Sequence, residues 1–99
     1  MKKSQVTLTV RLKAKPAMGT RLEEIARGLL TPTRQEPGCI DYYFHVNSKT
    51  PNEFFFYENW IDQESLDKHA NMPYIKEFQK AIAPLLAEDP EFVMWNITE

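Results

Sequence analysis

Several features that define other protein classes are scarce in this sequence of 99 residues. Its one cysteine, Cys39, excludes an internal disulfide and a cysteine-based zinc site, and it fits a reducing, cytoplasmic location. Its 3 glycines are isolated from one another, which excludes a glycine-rich loop for a phosphate or a dinucleotide. No apolar run is long enough for a signal peptide or a membrane span, so neither is expected.

Basic and acidic residues are nearly balanced in this sequence. There are 12 Lys and Arg residues against 14 Asp and Glu residues, which gives a formal net charge of −2 and no basic patch of the kind that binds nucleic acid. The 2 histidines lack the spacing of a metal-binding helix motif. We therefore expect no nucleic-acid or membrane partner, no metal and no organic cofactor. That expectation fits cofactor-free chemistry and the absence of chemistry equally well.

What is present is the composition of one folded domain. The sequence is 42% hydrophobic and 26% charged, which is typical of globular proteins. Its length suits a single domain over residues 1–99, with a core from about 5 to 98. A chain of this size buries only about 60–65% of its unfolded surface, so its own interior leaves little space for a ligand. A sizeable pocket would need a second subunit.

The hydrophobic pattern predicts alternating strands and helices. Residues 5–13 alternate apolar and polar side chains, as in a strand with one buried face. A helix follows, from Ala17 or from a capping box at Thr20, and Pro32 is expected to bend or break it near Gly28. The remaining elements are a hairpin of strands at 39–46 and 53–60, a helix capped by Asp62, a second helical stretch from Pro73, and a strand at 91–97.

The order β-α-β-β-α-β predicts a ferredoxin-like α+β fold, in which an antiparallel sheet carries its helices on one face. Eight of the 12 aromatic residues lie between Tyr42 and Trp60. The run Phe-Phe-Phe-Tyr at residues 54–57 places aromatic side chains on both faces of the sheet. Since the helices cover only one face, we expect a homodimer in which the other faces of two sheets pack together.

Four short motifs, taken in order, resemble the antibiotic biosynthesis monooxygenase family, which has a dimeric α+β-barrel fold. They are Glu36-Pro37-Gly38-Cys39-Ile40 before the second strand, Tyr42 within it, Tyr57-Glu58-Asn59-Trp60 at the end of the third, and Leu66 to His69 followed by Met72-Pro73-Tyr74. The resemblance extends from about Val6 to about Ile97. It implies a small homodimer with a pocket between sheet and helices in each subunit. Several relatives oxidise quinols or polyketide-derived phenols with O2 and without flavin, metal or haem.

The sequence departs from the family pattern at two places. Tyr74 stands where relatives often carry a second histidine, so a mechanism that uses a histidine pair is in doubt. The first strand lacks the asparagine that haem-degrading relatives tend to have, which disfavours a haem-oxygenase role. Other relatives isomerise a small ketone or have no known activity, so fold and family alone bound the function poorly.

His69 is the first candidate catalytic residue, because oxidation of a phenol or quinol begins with removal of a proton and imidazole titrates near neutral pH. Its spacing from Leu66 places it on the apolar side of its helix, facing the sheet. It could equally be a structural histidine that hydrogen-bonds Glu58 or a backbone carbonyl. Tyr74 is a further candidate, as a hydrogen-bond donor where the helix is interrupted.

Glu58 and Trp60 share one face of the third strand. A carboxylate there needs a partner, such as His69 or Arg11, and a structural role is favoured for it. Trp60 could stack on an aromatic substrate and donate its indole N–H to a developing anion, or it could be a core residue. The candidate substrate-binding residues are Phe56, Glu58, Tyr42 and Leu66, whereas Asn59, Tyr43 and His45 point to the opposite face.

Together these features predict a cofactor-independent monooxygenase that oxidises a small quinol-like or polycyclic phenolic substrate with O2. His69 or a pocket tyrosine would promote deprotonation, and Trp60 would hold the ring. Two alternatives stay open. One is a dimer that binds a small aromatic ligand without turnover, and the other is an isomerase of a small ketone, which needs no O2.

Overall fold

A computed structural model of the chain describes residues 5–99, which form one four-stranded sheet and four α-helices. Every neighbouring pair of strands is antiparallel, in the order β2-β3-β1-β4, which confirms the predicted ferredoxin-like α+β fold. No helix in this part of the chain is long and apolar enough to cross a membrane. The elements are β1 (Val6–Lys13), α1 (Gly19–Arg27), α2 (Leu30–Arg34), β2 (Cys39–Val46), β3 (Glu53–Trp60), α3 (Gln63–Ala70), α4 (Pro73–Ile82) and β4 (Glu91–Trp95).

The hairpin and the start of α3 lie where the sequence predicts them. β2 and β3 have the predicted bounds, and the Asp62 carboxylate accepts a hydrogen bond from the Ser65 backbone N–H (2.8 Å). β4 is shorter than predicted and ends at Trp95 instead of Ile97. Its ladder to β1 stops at the pair formed by Thr7 and Trp95, so the residues beyond it have no partner strand.

The start of α1 differs from the prediction. The helix begins at Gly19, and its N-cap residue, Met18, makes no side-chain hydrogen bond. Thr20 is already inside the helix, so the capping box expected there is wrong. A backbone turn brings the chain into the helix instead, because the Met18 N–H bonds to the Lys15 carbonyl (3.0 Å).

The helical segment breaks where it was expected to, between α1 and α2. The two helices are separated at Gly28 and Leu29. Pro32 then lies in the first turn of α2, where the backbone N–H that proline lacks would have no helical partner. The prediction of a break near Gly28 is confirmed.

The core lies between the helices and one face of the sheet, which we call the helix face. Leu22 of α1 and Ile82 of α4 pack there against Leu12 of β1. The β3 side chains on this face are all buried, which confirms that they share it: Phe54, Phe56, Glu58 and Trp60.

The opposite side of the sheet, which we call the open face, carries large aromatic side chains that no helix among residues 5–99 covers. Tyr43 and Trp95 are 50% and 53% exposed, and Phe55 and Tyr57 are each 38% exposed. Tyr42 is buried on the other side of β2, so the prediction that Tyr42 and Tyr43 face opposite ways is confirmed.

Polar side chains on the open face bond to one another. The Thr7 hydroxyl donates to Asn59, and the Asn59 amide donates to Asp41 (3.0 Å). The Trp95 indole N–H donates to the Thr9 hydroxyl (2.8 Å). These polar groups therefore have partners within residues 5–99, whereas the aromatic rings beside them remain between 38% and 53% exposed.

Candidate functional site

A cavity of about 100 Å³ lies between the helix face of the sheet and the helices α3 and α4. Most of its wall is apolar, and Phe56, Leu66 and Phe78 are among the lining side chains. The charged or strongly polar side chains that reach it are Glu58, His69 and Gln79. The site is therefore an apolar chamber with a small set of polar groups, the arrangement that is typical of small-molecule pockets.

His69 lies in the last turn of α3 and is buried together with Leu66, as their spacing predicts. Its Nδ1 hydrogen-bonds a carboxylate oxygen of Glu36 (2.8 Å). Burial lowers the pKa of His69, and the charge of Glu36 opposes this shift only in part. The lowered pKa leaves the ring neutral near pH 7. The other nitrogen, Nε2, has no hydrogen-bond partner within residues 5–99 and is available to a ligand.

Glu36 is the part of this site that the sequence patterns do not predict. It lies in the turn between α2 and β2, 33 positions from His69, and its side chain is only 10% exposed. The hydrogen-bond partner expected for a structural His69 was Glu58 or a backbone carbonyl, and that expectation is wrong. The motif Glu36-Pro37-Gly38 was the one available signal, because a residue in a turn has no periodicity that links it to a helix face.

Tyr74 shares the Glu36 carboxylate with His69. Its hydroxyl donates to the same oxygen, Oε2, that bonds His69, and it also bonds the Thr33 hydroxyl (3.2 Å). Burial and the neighbouring carboxylate raise the pKa of Tyr74 to about 12. Tyr74 does not line the cavity, so the structure places it behind His69 and not beside a ligand.

Gly38 holds the Glu36 turn against the start of α3. Its carbonyl accepts a hydrogen bond from the Ile61 N–H (2.9 Å), and a Cβ at this position would collide with the side chain of Ser65. The absence of a side chain lets the turn approach α3 closely. Because His69 lies one turn further along α3 than Ser65, this approach sets Glu36 beside the imidazole.

Trp60 lies beneath the His69 ring and has no surface in the cavity. It is fully buried, its ring centroid is 4.6 Å from that of His69, and its Nε1–H donates to Glu58 Oε1 (3.0 Å). The predicted stacking of Trp60 on a substrate therefore differs from the structure, in which the indole fills the core and its N–H is already used.

Glu58 lines the cavity with one carboxylate oxygen uncommitted. Oε1 accepts the Trp60 N–H, whereas Oε2 has no hydrogen-bond partner among the described residues. Burial raises the pKa of Glu58 to about 7, and the charge of Glu36 adds to this shift while the Trp60 hydrogen bond opposes it. Near neutral pH this carboxyl group is therefore present in both protonation states.

The ion pair expected between Glu58 and His69 or Arg11 is not formed. Arg11 lies on the open face and bonds to Glu53 (2.6 Å) and Glu91 (2.9 Å). It pairs in register with Phe55, whose side chain points away from the helices. Successive side chains of a strand point to opposite faces, and Glu58 lies three positions after Phe55 on β3. Glu58 therefore points toward the helices.

The other predicted site residues are distributed as follows. Tyr42, Phe56 and Leu66 line the cavity together with Glu58 and His69. Burial raises the pKa of Tyr42 well above its usual range, so its hydroxyl stays protonated at neutral pH. Asn59, Tyr43 and His45 lie on the open face, away from the cavity.

The arrangement places His69 and Glu58, whose Nε2 and Oε2 have no hydrogen-bond partner within residues 5–99, in the lining of one apolar cavity. A neutral imidazole can accept a proton from a ligand, and a carboxyl group with a pKa of about 7 can accept or donate one. Within residues 5–99 no group of three His, Cys, Asp or Glu side chains is placed to hold a metal ion. The chemistry that these residues can supply directly is proton transfer.

Comparison with known proteins shows which family this chain is similar to. The model of the antibiotic biosynthesis monooxygenase family matches residues 5–81, a segment that contains all four motifs described above. An uncharacterized protein of Synechocystis is 34% identical over 88 residues, which cover 89% of this chain but only 60% of that protein's length. A candidate monooxygenase of Mycobacterium tuberculosis is 26% identical over 84% of this chain and 81% of its own. A crystal structure from Pseudomonas aeruginosa superposes with a TM-score of 0.92 at 25% identity, over 100% of this chain and 99% of the other.

Proposed function

The chain belongs to the antibiotic biosynthesis monooxygenase family, and from this premise we propose that it is a cofactor-independent monooxygenase of a small quinol-like or phenolic substrate. In the proposed reaction one atom of O2 enters the substrate ring and the other leaves as water, while the substrate supplies the electrons. A phenol would thereby become the corresponding quinone. The protein must then bind the ring and take up its hydroxyl proton, because a phenolate reduces O2 more readily than a phenol does.

The observation that carries this proposal is His69 in the lining of an apolar cavity, with a ring nitrogen, Nε2, that has no hydrogen-bond partner in the described part of the chain. Burial keeps the imidazole neutral, which is the form that accepts a proton. Once Nε2 is protonated, the ring faces the Glu36 carboxylate at 2.8 Å, which stabilises the positive charge. Phe56, Leu66 and Tyr42 line the walls on which the substrate ring would pack.

The size of the cavity favours a small substrate over a polycyclic one. Its volume is about 100 Å³. An apolar cavity of about 150 Å³ holds one benzene ring. A single ring is therefore the group of matching size, and a polycyclic substrate would extend beyond the cavity. Of the two substrate classes predicted from the sequence, the small quinol-like class fits better.

Glu58, Trp60 and Tyr74 take supporting parts in this proposal. The free oxygen of Glu58 would hydrogen-bond a second polar group of the substrate, or its hydroxyl before the proton moves. Trp60 would fix Glu58 through its N–H and His69 through ring contact. Tyr74 would act through Glu36 and not on the substrate.

The proposed functional unit is a homodimer in which two open faces pack together. Four aromatic side chains on this face are between 38% and 53% exposed, and an apolar patch of that kind marks an interaction surface. Light scattering tests it. A mass of about twice 11.6 kDa is expected, and a mass of 11.6 kDa would contradict the proposal.

The activity is tested by O2 consumption with a panel of single-ring hydroquinones and phenols in metal-free and flavin-free buffer. We expect turnover by the wild type and a fall of at least about 100-fold in His69→Ala, the usual contribution of a general base. Lys68→Ala is the matched control, because Lys68 precedes His69 on the same helix and points to solvent. Equal rates for the wild type, His69→Ala and buffer would rule out the activity for those substrates.

Two further measurements with the same substrates separate the alternatives, which are a ligand-binding dimer and an isomerase. Quenching of tryptophan fluorescence by a hydroquinone without O2 consumption would favour a ligand-binding dimer. Product formation under anaerobic conditions would favour an isomerase, because isomerisation needs no oxidant.

A further inference from the structure

A buried carboxylate lies behind the candidate base, on the side away from the cavity. We propose that Glu36 is a positioning residue that holds His69 in one tautomer, with Nδ1–H toward the carboxylate and Nε2 toward the ligand. The proposal deepens the proposed function and rests on it for its catalytic consequence. The tautomer itself is a property of the free protein and can be measured without any substrate.

The position of the carboxylate is fixed by contacts from two helices, α3 and α4, and α2 supports the second contact. Oε2 of Glu36 accepts from Nδ1 of His69 on α3 (2.8 Å) and from the Tyr74 hydroxyl on α4. The Tyr74 hydroxyl in turn bonds the Thr33 hydroxyl on α2 (3.2 Å). The side chains of His69 and Glu36 are 7% and 10% exposed, so water competes little for these bonds.

A carboxylate at this place decides which ring nitrogen carries the hydrogen. A carboxylate can only accept, so the nitrogen that faces it must donate, and the nitrogen on the opposite side of a neutral imidazole then has the free electron pair. In the structure the opposite nitrogen is Nε2, on a side chain that lines the cavity. Without Glu36 the ring would be free to exchange tautomers or to rotate, and the base would face the ligand only part of the time.

The charge of Glu36 matters as well as its geometry. The ionisable groups around His69 are Glu36 and Tyr74 on one side and Glu58 and Tyr42 on the other. Burial lowers the pKa of His69, and Glu36 is the group that opposes this shift. Removal of Glu36 should therefore lower the pKa further and make the protonated intermediate harder to form.

The test is ¹⁵N NMR of the His69 ring in the ligand-free protein, with the variants Glu36→Ala, Glu36→Gln and Tyr74→Phe. In the wild type we expect Nδ1 to carry the proton and Nε2 to be unprotonated in the neutral form. Glu36→Ala should give a mixture or the opposite tautomer. Glu36→Gln retains an oxygen that can accept, so it should keep the tautomer while the pKa of His69 falls. Tyr74→Phe should keep both the tautomer and the direction of the pKa shift, because it leaves the carboxylate in place.

Kinetics then show the catalytic consequence. We expect kcat to fall about 10- to 100-fold in Glu36→Ala, the loss seen when a group that orients a metal-bound histidine is removed, with a smaller change in KM and partial recovery in Glu36→Gln. Glu64→Ala is the control, since Glu64 is an exposed carboxylate on the helix that carries His69. Near-UV circular dichroism reports whether each variant folds, and Glu36→Gln keeps the test informative if Glu36→Ala does not.

The positioning role of Glu36 and the proposed activity can be contradicted independently of each other. An Nε2–H tautomer in the wild type, or an unchanged tautomer in folded Glu36→Ala, would overturn the positioning role whatever the activity. A correct tautomer in a protein that consumes no O2 would support the positioning role and count against the proposed function.

Discussion

The two faces of the one sheet are incomplete in opposite ways. On the helix face the apolar side chains of β1 and β3 are packed, although Phe92 and Met94 of β4 stay exposed, and two polar atoms, His69 Nε2 and Glu58 Oε2, have no hydrogen-bond partner within residues 5–99. On the open face the polar side chains of Thr7, Asn59 and Asp41 bond to one another, while the aromatic rings are exposed.

This difference indicates what each face is built to meet. An apolar surface is covered most favourably by another large apolar surface, and a polar atom in a small chamber is satisfied by a small molecule with a matching group. A strand with apolar side chains on both faces, such as β3, can therefore serve two unrelated purposes through alternate residues. The open face suits a protein partner, and the helix face suits a ligand.

The largest expected effect is on stability, in variants of two neighbouring phenylalanines of β3 whose side chains lie on opposite faces of the sheet. Phe54→Ala removes a ring that is 1% exposed on the helix face and should lower the free energy of unfolding by about 3–5 kcal/mol. Phe55→Ala, at a position that is 38% exposed, should cost under about 1 kcal/mol in the monomer. Urea unfolding at low protein concentration measures both, and equal losses would show that the two faces are not different.

The next effect concerns the buried carboxyl group of the helix face. The pKa of Glu58 is raised in the folded state to about 7, so the folded protein binds this proton more tightly than the unfolded chain does. The resulting stability is fully present below about pH 4.5 and is lost as the pH rises through about 7, by about 2–3 kcal/mol. Glu58→Gln should remove that decline, whereas Glu64→Gln, on an exposed side chain, should leave it unchanged. A wild-type profile that matches that of Glu58→Gln would contradict the assignment.

A charge on the open face should separate two chains without unfolding either one. Tyr57→Lys places an ammonium group among the exposed rings and should reduce the mass from about twice 11.6 kDa to 11.6 kDa, with a change in monomer stability below about 1 kcal/mol. Glu77→Lys introduces the same side chain on the exposed surface of α4 and should leave the dimer intact. Dissociation by both variants would mean that net charge, and not the open face, controls association.

The smallest expected effect tests how the helix that carries His69 is held. The Asp62 carboxylate accepts the Ser65 N–H at 2.8 Å, which also lowers the pKa of Asp62. Asp62→Ala should cost about 1 kcal/mol, the usual value of an N-cap. Asp67→Asn, in the exposed middle of α3, is the control and should cost about 0.5 kcal/mol or less. The loss is measured by thermal or urea unfolding at a pH well above the pKa of Asp62.

Local chemistry explains why most of the fold could be predicted from the sequence. Alternation in β1, the aromatic strand β3 and the Asp62 cap each depend on residues a few positions apart, and all three lie where the patterns place them. The capping box at Thr20 failed because a backbone turn at Lys15 and Met18 competes with it, and sequence alone does not show that turn.

The candidate site was harder to predict because its contacts are long-range. Spacing from Leu66 correctly placed His69 on the inward side of α3, but its partner, Glu36, comes from a turn 33 positions away. The position of Trp60 shows a second limit. Alternation gives the face on which a side chain lies but not its depth, and depth separates a residue that touches a ligand from one that supports it.

The Glu36 turn and the His69 helix come from different halves of the chain, on either side of the loop between β2 and β3. Thr33, Glu36 and Tyr42 precede that loop, and Glu58, His69 and Tyr74 follow it. The hydrogen bonds from His69 and Tyr74 to Glu36 both join the two halves, so the arrangement around the imidazole exists only where the two halves are docked. The proton-transfer groups of the cavity therefore depend on contacts between the two halves and not on either half alone.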